Sequence, residues 1–182
     1  MTTHIEEGRL GDRTIERVVF DEESVRRRVR QLAGKITEAY GPDDRLLVIG
    51  LLKGSFLFMA DLVREIQHPL QVDFLIASSY GDATESSGDV RILYDASTSF
   101  EGRSVLLVED IVDSGVTLDR LMPRLLARGP KSLEVCALLH KRVRPMRYEP
   151  RWVGFDAPNE FLVGYGLDYA EDFRHLPYIA SL

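Results

Sequence analysis

Acidic and hydroxyl-bearing residues are concentrated in one short segment of the chain, between Val105 and Thr117. The apolar run Val105–Val108 is typical of a buried strand, and it leads directly into carboxylates. A turn of small and hydroxyl-bearing residues follows, and a predicted helix begins after it. The acids are Glu109, Asp110 and Asp113, and the turn contains Ser114, Gly115, Val116 and Thr117.

The turn suits an anion, whereas the acids suit hydroxyl groups or a metal. A glycine-containing turn that starts a helix directs backbone N–H groups at an anion, and the Ser114 and Thr117 hydroxyls add donors. Neighbouring carboxylates accept hydrogen bonds from a vicinal diol and attract a hard cation such as Mg²⁺. A ribose 5-phosphate with bound magnesium would satisfy both halves of the segment.

Two simpler interpretations explain the segment less well. A helix cap needs one acidic or hydroxyl residue, whereas several acids and two hydroxyls occur together here. The GxxxxGK(S/T) pattern of a nucleoside-triphosphate loop is absent from the segment. We therefore expect a sugar-phosphate site at the carboxyl end of a strand, where open α/β sheets bind ligands.

The elements that must position this segment alternate between strands and helices, which predicts one α/β domain over residues 1–182 with a largely parallel sheet. The predicted helices are Glu22–Tyr40, Phe56–Ile66 and Leu118–Arg128. The predicted strands are Leu46–Leu51, Val72–Ser78, Val90–Tyr94, Val105–Val108, Leu133–Leu139, Trp152–Phe155 and Phe161–Tyr165. Polar residues over Ser79–Asp89 predict a mobile loop, and Pro123 predicts a local distortion of the third helix.

Composition argues against several other classes of protein. The net charge of −6 and the sequence pI of about 5.3 lack the basic footprint of a nucleic-acid-binding surface. The single cysteine, Cys136, lies in an apolar run and is interpreted as a small core residue. No apolar stretch is long enough to span a membrane, and the polar segment 1–9 is not a signal peptide. A cytoplasmic location, without nucleic-acid or membrane partners, is the expectation.

The segment 105–117 resembles the hallmark of the type I phosphoribosyltransferases, which is an apolar strand, two acids and an Asp-Ser/Thr-Gly-x-Thr turn. Further matches are similar to the hypoxanthine-guanine group of that family. They are Leu51–Phe56, Ser78–Gly81, Ser86–Arg91, Val153–Phe155 and Phe161–Tyr169. The resemblance implies a central, mostly parallel sheet flanked by helices, with a small hood formed by the terminal segments.

The resemblance also implies a reaction and its partners. Purine salvage enzymes of this family transfer the 5-phosphoribosyl group from phosphoribosyl pyrophosphate to hypoxanthine or guanine, with Mg²⁺ as cofactor. The products are IMP or GMP, together with pyrophosphate. Family members are typically homodimers or homotetramers, so the same is expected of this chain.

The resemblance assigns roles to residues on the ribose and pyrophosphate side of the site. Glu109 and Asp110 should engage the ribose hydroxyls and one Mg²⁺, and Asp168 should bind a second Mg²⁺. The 5′-phosphate should be bound by Ser114, Gly115, Val116 and Thr117. Pyrophosphate should be bound by Lys53, Gly54 and Arg174, in a turn at Lys53–Gly54 that often contains a cis peptide bond in this family.

On the base side, the resemblance gives Asp113 the catalytic role, near N7 of the purine. Lys141 should donate to the purine O6, which disfavours adenine, because its 6-amino group offers no acceptor there. Phe161 should stack on the purine, and backbone groups near Leu162 and Asp168 should reach its other edge. Ser79 and Tyr80 begin the mobile loop, which should close over the reactants and exclude water.

Two other functions remain open on the sequence alone. Some domains of this family act chiefly as nucleotide sensors that regulate RNA or DNA. The acidic balance and the lack of an appended DNA-binding module count against that role. An enzyme of the same fold could also use xanthine or a pyrimidine, and xanthine shares the 6-oxo group that Lys141 would recognise.

Overall fold

The computed structural model describes residues 13–79 and 90–182, and these form two sheets with flanking helices. The helices are α1 (Glu22–Ala39), α2 (Phe56–Glu65) and α3 (Val116–Leu126), with a short 3-10 helix at Pro42–Asp44. The strands are β1 (Arg17–Phe20), β2 (Leu46–Leu52), β3 (Leu70–Ser79), β4 (Val90–Tyr94), β5 (Ser104–Val112), β6 (Ser132–His140), β7 (Trp152–Asp156), β8 (Leu162–Val163) and β9 (Ile179–Ser181).

The larger sheet has the strand order β4-β3-β2-β5-β6-β7, and all neighbours are parallel except β3 and β4. Successive residues of β2 and β5 face two separate apolar cores. One core contains α1 and α2, and the other contains α3. Because both faces of the two central strands are covered, β2 and the first half of β5 are continuously apolar, as is typical of parallel sheets. The predicted α/β fold is confirmed.

The smaller sheet has the order β1-β9-β8, with antiparallel neighbours, and is built from residues near both ends of the chain. It is the hood that the family resemblance implies. The predicted strand Phe161–Tyr165 is wrong in extent, because only Leu162–Val163 pair with β9. Beyond Val163 the backbone turns, with positive φ angles at Gly164, Tyr165 and Gly166, so pairing cannot continue.

The boundary of β5 also differs from the prediction. The strand continues to Val112, because pairing with β6 extends through Glu109↔Ala137 and Val112↔His140. Glu109 and Asp110 therefore lie on the strand itself, and only Asp113 follows it. In α3, Pro123 lies inside the helix, and the Ala127 N–H still donates to the Pro123 carbonyl, so the helix does not end at the proline. None of the helices within 13–79 and 90–182 is long and apolar enough to cross a membrane.

The close packing of β7 on β6 gives a test of the sheet. A Cβ atom at Gly154 would lie 2.3 Å from the Leu138 carbonyl oxygen, so the backbone would have to shift. Gly154→Ala should therefore lower the free energy of unfolding, by about 1–3 kcal/mol. Urea unfolding followed by circular dichroism measures this change.

Gly34→Ala is the matched control, because a Cβ at Gly34, inside α1, would meet nothing within 4 Å. Alanine is the better helix former there, so this variant should be more stable by roughly 0.5–1 kcal/mol. Equal effects of the two substitutions would contradict the register assigned to β6 and β7.

Candidate active site

The carboxyl ends of β2 and β5 border a cleft of about 210 Å³. Its lining consists of Leu51, Leu52, Gly54, Ala77 and every residue from Glu109 to Leu118. The segment singled out from the sequence thus forms most of one cleft, at the sheet edge where open α/β folds bind ligands.

Two adjacent acids, Glu109 and Asp110, lie at the end of β5. Glu109 is only 6% exposed, and its burial and the neighbouring Asp110 charge raise its pKa well above the ordinary value. Burial also raises the pKa of Asp110 to about 6, although backbone hydrogen bonds and the Arg174 charge oppose the shift. The Asp168 charge adds to the repulsion. A cation bound here would relieve this repulsion and lower both pKa values.

Gly54 lies directly against the Asp110 carboxylate. A Cβ atom at Gly54 would lie 1.6 Å from Asp110 Oδ2, so a residue with a side chain cannot occupy this position without displacing the acid. On its other side, a Cβ at Gly166 would lie 2.0 Å from the Gly54 carbonyl oxygen. The turn is therefore held between β5 and the hood. The cis peptide bond joins Leu52 to Lys53, one bond before Lys53–Gly54.

The turn from Ser114 to Thr117 has the geometry of an anion cradle. Gly115 has a φ angle of +75°, and α3 begins at the next residue. The first amides of a helix have no acceptor within the helix, so those of Val116 and Thr117 are available to an anion at the helix N-terminus. The turn lines the same cleft as the two acids.

The segment that follows β6 packs on this cradle, which the sequence did not indicate. The Arg144 Nε donates to the Ser114 carbonyl at 2.6 Å, and a Cβ at Gly115 would lie 2.5 Å from the Met146 side chain. Both contacts join residues that are distant in the sequence. No local pattern could have revealed them.

Asp113 and Lys141 form an ion pair with an Nζ–Oδ2 distance of 3.0 Å. The backbone joins the two positions as well, because the Lys141 N–H donates to the Val112 carbonyl. The Lys141 side chain is 11% exposed, whereas that of Asp113 is 57% exposed. A donor and an acceptor thus sit side by side, and the acceptor, Asp113, lines the cleft.

The predicted pyrophosphate residues meet through a carboxylate that the sequence analysis missed. Glu171 Oε2 lies 3.0 Å from Lys53 Nζ and 3.3 Å from Arg174 Nη2. Arg174 is also bound to the Asp168 carboxylate at 2.8 Å and to the Gly166 carbonyl. Glu171 stands three residues from both Asp168 and Arg174, a spacing that could have signalled the contact.

The remaining predicted residues belong either to the purine side of the site or to the predicted loop. Phe161 is 53% exposed and contacts Tyr169 edge to face, with ring centroids 5.6 Å apart, so part of its ring is accessible to a ligand. Leu162 is buried in the core, so only its backbone can reach a ligand. Ser79 ends β3 and pairs with Val90, whereas Tyr80 lies outside the described residues.

The described acids fit a magnesium ion that is only partly held by protein. Within residues 13–79 and 90–182, no three histidine, cysteine, aspartate or glutamate side chains converge on one point. Mg²⁺ is usually held by one or two carboxylates together with substrate phosphates and water. Glu109 and Asp110 would supply such a partial site, whereas Asp168 is separately engaged by Arg174.

The fold and this cleft define a sugar-phosphate transferase of the α/β class, and comparison with known families agrees. The family model described as phosphoribosyl transferase domain matches residues 19–170. The chain belongs to this family. The match includes the acid pair, the cradle, Asp113 and Lys141.

Relatives with similar sequences or structures are hypoxanthine or hypoxanthine-guanine phosphoribosyltransferases. The chain is 47% identical to the hypoxanthine-guanine phosphoribosyltransferase of Dictyostelium discoideum over 169 residues, which cover 91% of this chain and 94% of the relative. It is 47% identical to the hypoxanthine phosphoribosyltransferase of Salmonella typhimurium over 167 residues, with the same coverage. The crystal structure of a hypoxanthine-guanine phosphoribosyltransferase from Bacillus anthracis has a TM-score of 0.87 and 43% identity, and the match covers 92% of this chain and 99% of that one.

The raised pKa of Asp110 predicts a pH-dependent cost to stability. The ordinary pKa of 3.8 applies to the unfolded chain, whereas the folded pKa is about 6. The folded state binds more protons between these values, so stability falls as the pH rises through this window. Asp110→Asn should therefore gain stability over the wild type between pH 4 and pH 7, by up to about 3 kcal/mol.

Urea unfolding of both proteins at the two pH values, in metal-free buffer, measures this gain. The control is Asp43→Asn, which removes an exposed acid from the 3-10 helix. A stability difference between Asp110→Asn and wild type that is the same at pH 4 and pH 7 would contradict the raised pKa.

Proposed function

We propose that this protein transfers the 5-phosphoribosyl group of phosphoribosyl pyrophosphate to hypoxanthine or guanine. The products would be IMP or GMP and pyrophosphate, which is a purine salvage reaction. The observation that carries this proposal is the Lys141–Asp113 pair at 3.0 Å, beside a cleft that contains both the acid pair and the phosphate turn.

The donor half of the cleft suits a phosphorylated ribose with bound Mg²⁺. The amides at the start of α3 would bind the 5′-phosphate, and Glu109 and Asp110 would accept hydrogen bonds from the ribose hydroxyls. Mg²⁺, when bound, neutralises the pyrophosphate leaving group. Lys53 and Arg174 would bind pyrophosphate on the far side, in place of the Glu171 carboxylate that now lies between them.

The base half of the cleft suits a 6-oxopurine. O6 and N7 are adjacent on the purine edge, as the Lys141 ammonium and the Asp113 carboxylate are adjacent in the structure. Lys141 would donate to O6, and Asp113 would accept the proton from N7. The exposed face of Phe161 would stack on the ring.

In the reaction, the C1′–O bond to pyrophosphate breaks, and its electron pair leaves with the pyrophosphate. N9 of the purine bonds to C1′, and the purine N7 proton passes to Asp113. Positive charge develops on the ribose in between, so water must be excluded. The loop that the sequence predicts over Ser79–Asp89 would provide this exclusion. A single domain over 1–182, a cytoplasmic location and a homodimeric or homotetrameric assembly stay predictions.

A turnover assay with phosphoribosyl pyrophosphate and each of hypoxanthine, guanine, xanthine, adenine and uracil tests the proposal. Hypoxanthine and guanine should react, and chelation of divalent cations should abolish turnover. Tight binding of these compounds without any turnover would favour a nucleotide sensor. Full activity after exhaustive chelation would contradict the magnesium role.

The position of Lys141 predicts which purine base the protein prefers. A buried ammonium that faces the 6-amino group of adenine loses its acceptor, so the wild type should prefer hypoxanthine over adenine by around 10⁴-fold. Lys141→Ala should lower kcat/KM for hypoxanthine and narrow the gap to adenine. Lys131→Ala removes an exposed lysine that is paired with Asp44, and it should change neither value. Wild-type turnover of adenine at the rate of hypoxanthine would contradict the assignment.

Asp113→Asn tests the catalytic role of the carboxylate. The amide cannot accept the purine proton, so kcat should fall by about 10²–10⁴-fold while the KM for phosphoribosyl pyrophosphate changes little. Steady-state kinetics with hypoxanthine measures both constants. Asp156→Asn removes another exposed acid, paired with Arg142, and serves as the matched control. Unchanged kcat under conditions where chemistry limits the rate would remove Asp113 from this role.

A further inference from the structure

A second cleft lies at the amino ends of the central strands, at the opposite edge of the sheet from the candidate active site. Its volume is about 400 Å³. It is lined by residues that immediately precede or begin β2, β3 and β5. These residues are Pro42, Arg45, Leu46, Pro69, Leu70, Gln71 and Arg103.

Arg103 is a buried guanidinium without an acidic partner. It is 8% exposed, and its Nε and Nη1 donate to neutral acceptors, the Arg45 carbonyl at 3.1 Å and the Gln71 side-chain oxygen at 2.6 Å. Among the described residues, its Nη2 has no hydrogen-bond acceptor. A buried charge normally requires a counter-charge, so the protein alone leaves this cation uncompensated.

The second cation of the cleft increases this imbalance. Arg45 is exposed, and its side chain makes no hydrogen bond or ion pair with the described part of the chain. Burial and the Arg45 charge together hold the pKa of Arg103 below its ordinary value. Two arginines therefore face one cleft and repel each other.

Asp44, which directly precedes Arg45, does not neutralise the two arginines. Asp44 accepts a hydrogen bond from the Gly41 amide at 2.7 Å, and its other oxygen is 2.7 Å from Lys131 Nζ. No acid belongs to the cleft lining. The Gln71 side chain, held through its oxygen by Arg103, keeps its NH₂ group as a further donor.

We propose that this cleft binds a phosphate group, with the buried Arg103 as the anchor and the exposed Arg45 as the second cation. A phosphate carries between one and two negative charges at neutral pH and has several acceptor oxygens, whereas a carboxylate carries only one charge. It therefore matches two guanidinium groups, which bind phosphate oxygens in pairs.

The position of the cleft connects it to the strands that carry the candidate active site. β2 begins beside Arg45 and ends at the Lys53 turn, and β5 begins after Arg103 and ends just before Asp113. A strand of seven residues is roughly 20 Å long, so a phosphate here would be well separated from the catalytic cleft. It would bridge the starts of both strands.

Nuclear magnetic resonance with inorganic phosphate as the probe tests this site locally, at constant ionic strength. The Arg103 Nε–Hε signal and the Gln71 side-chain amide report the proposed site, whereas the amides of Ser114–Thr117 report the catalytic cradle. Phosphate should shift the Arg103 and Gln71 signals with their own midpoint, and chloride at equal ionic strength should not.

Arg45→Gln is the informative variant, because Arg45 is exposed and makes no side-chain bonds that the fold needs. It should raise the phosphate midpoint of the Arg103 signal at least about tenfold and leave that of the cradle unchanged. Arg151→Gln, which removes an exposed arginine paired with Glu134, should change neither midpoint.

A parallel titration with glycerol 2-phosphate distinguishes free phosphate from a phosphate ester as the natural ligand. Tighter binding of the ester assigns the cleft to phosphorylated metabolites, and tighter binding of inorganic phosphate assigns it to the free ion. Arg103 and Gln71 signals that stay still in both titrations would overturn the proposal. So would an unchanged midpoint in Arg45→Gln. The Arg103 and Gln71 signals report this site alone. Both titrations can therefore be interpreted whether or not the cradle binds phosphate and the proposed reaction occurs.

Discussion

The close approach of Gly54 to Asp110 is the contact on which the candidate active site depends. It brings the turn after β2 against the acid at the end of β5, and Gly166 of the hood closes on the same turn from the other side. Because neither glycine has room for a Cβ, the sheet and the hood meet at van der Waals distance. This contact places the proposed pyrophosphate residue Lys53 next to the proposed diol-binding acids.

The electrostatics of the site follow from this packing. Burial raises the pKa of both Glu109 and Asp110. The Asp110 charge adds to the shift of Glu109, and the Arg174 charge opposes the shift of Asp110. The cations on the other side, Lys53 and Arg174, share the Glu171 carboxylate. The site therefore places two acids, whose charged forms a bound metal would stabilise, beside two cations that a bound anion would pair with. A magnesium-bound pyrophosphate ester of ribose supplies both.

The sequence predicted the elements that depend on local pattern. The apolar runs of the larger sheet, α1 and the cradle residues were recognisable because their signals lie within a few adjacent residues. Two strands of the hood, β1 and β9, were not predicted, because they are short and pair across the length of the chain, as Arg17 does with Ser181. The contact of Glu171 with Lys53 and the packing of Met146 on Gly115 were missed for the same reason, since tertiary contacts create them.

Substitution of Gly54 by alanine tests the central contact most directly. The added Cβ would displace the Asp110 carboxylate, so calorimetric binding of phosphoribosyl pyrophosphate in the presence of Mg²⁺ should weaken by about 100-fold or more. Far-ultraviolet circular dichroism should stay that of the folded protein. Gly41→Ala, where a Cβ would meet only the Asp44 carboxylate at 3.7 Å, should bind the donor like the wild type. Donor affinity within twofold of wild type in folded Gly54→Ala would contradict the account.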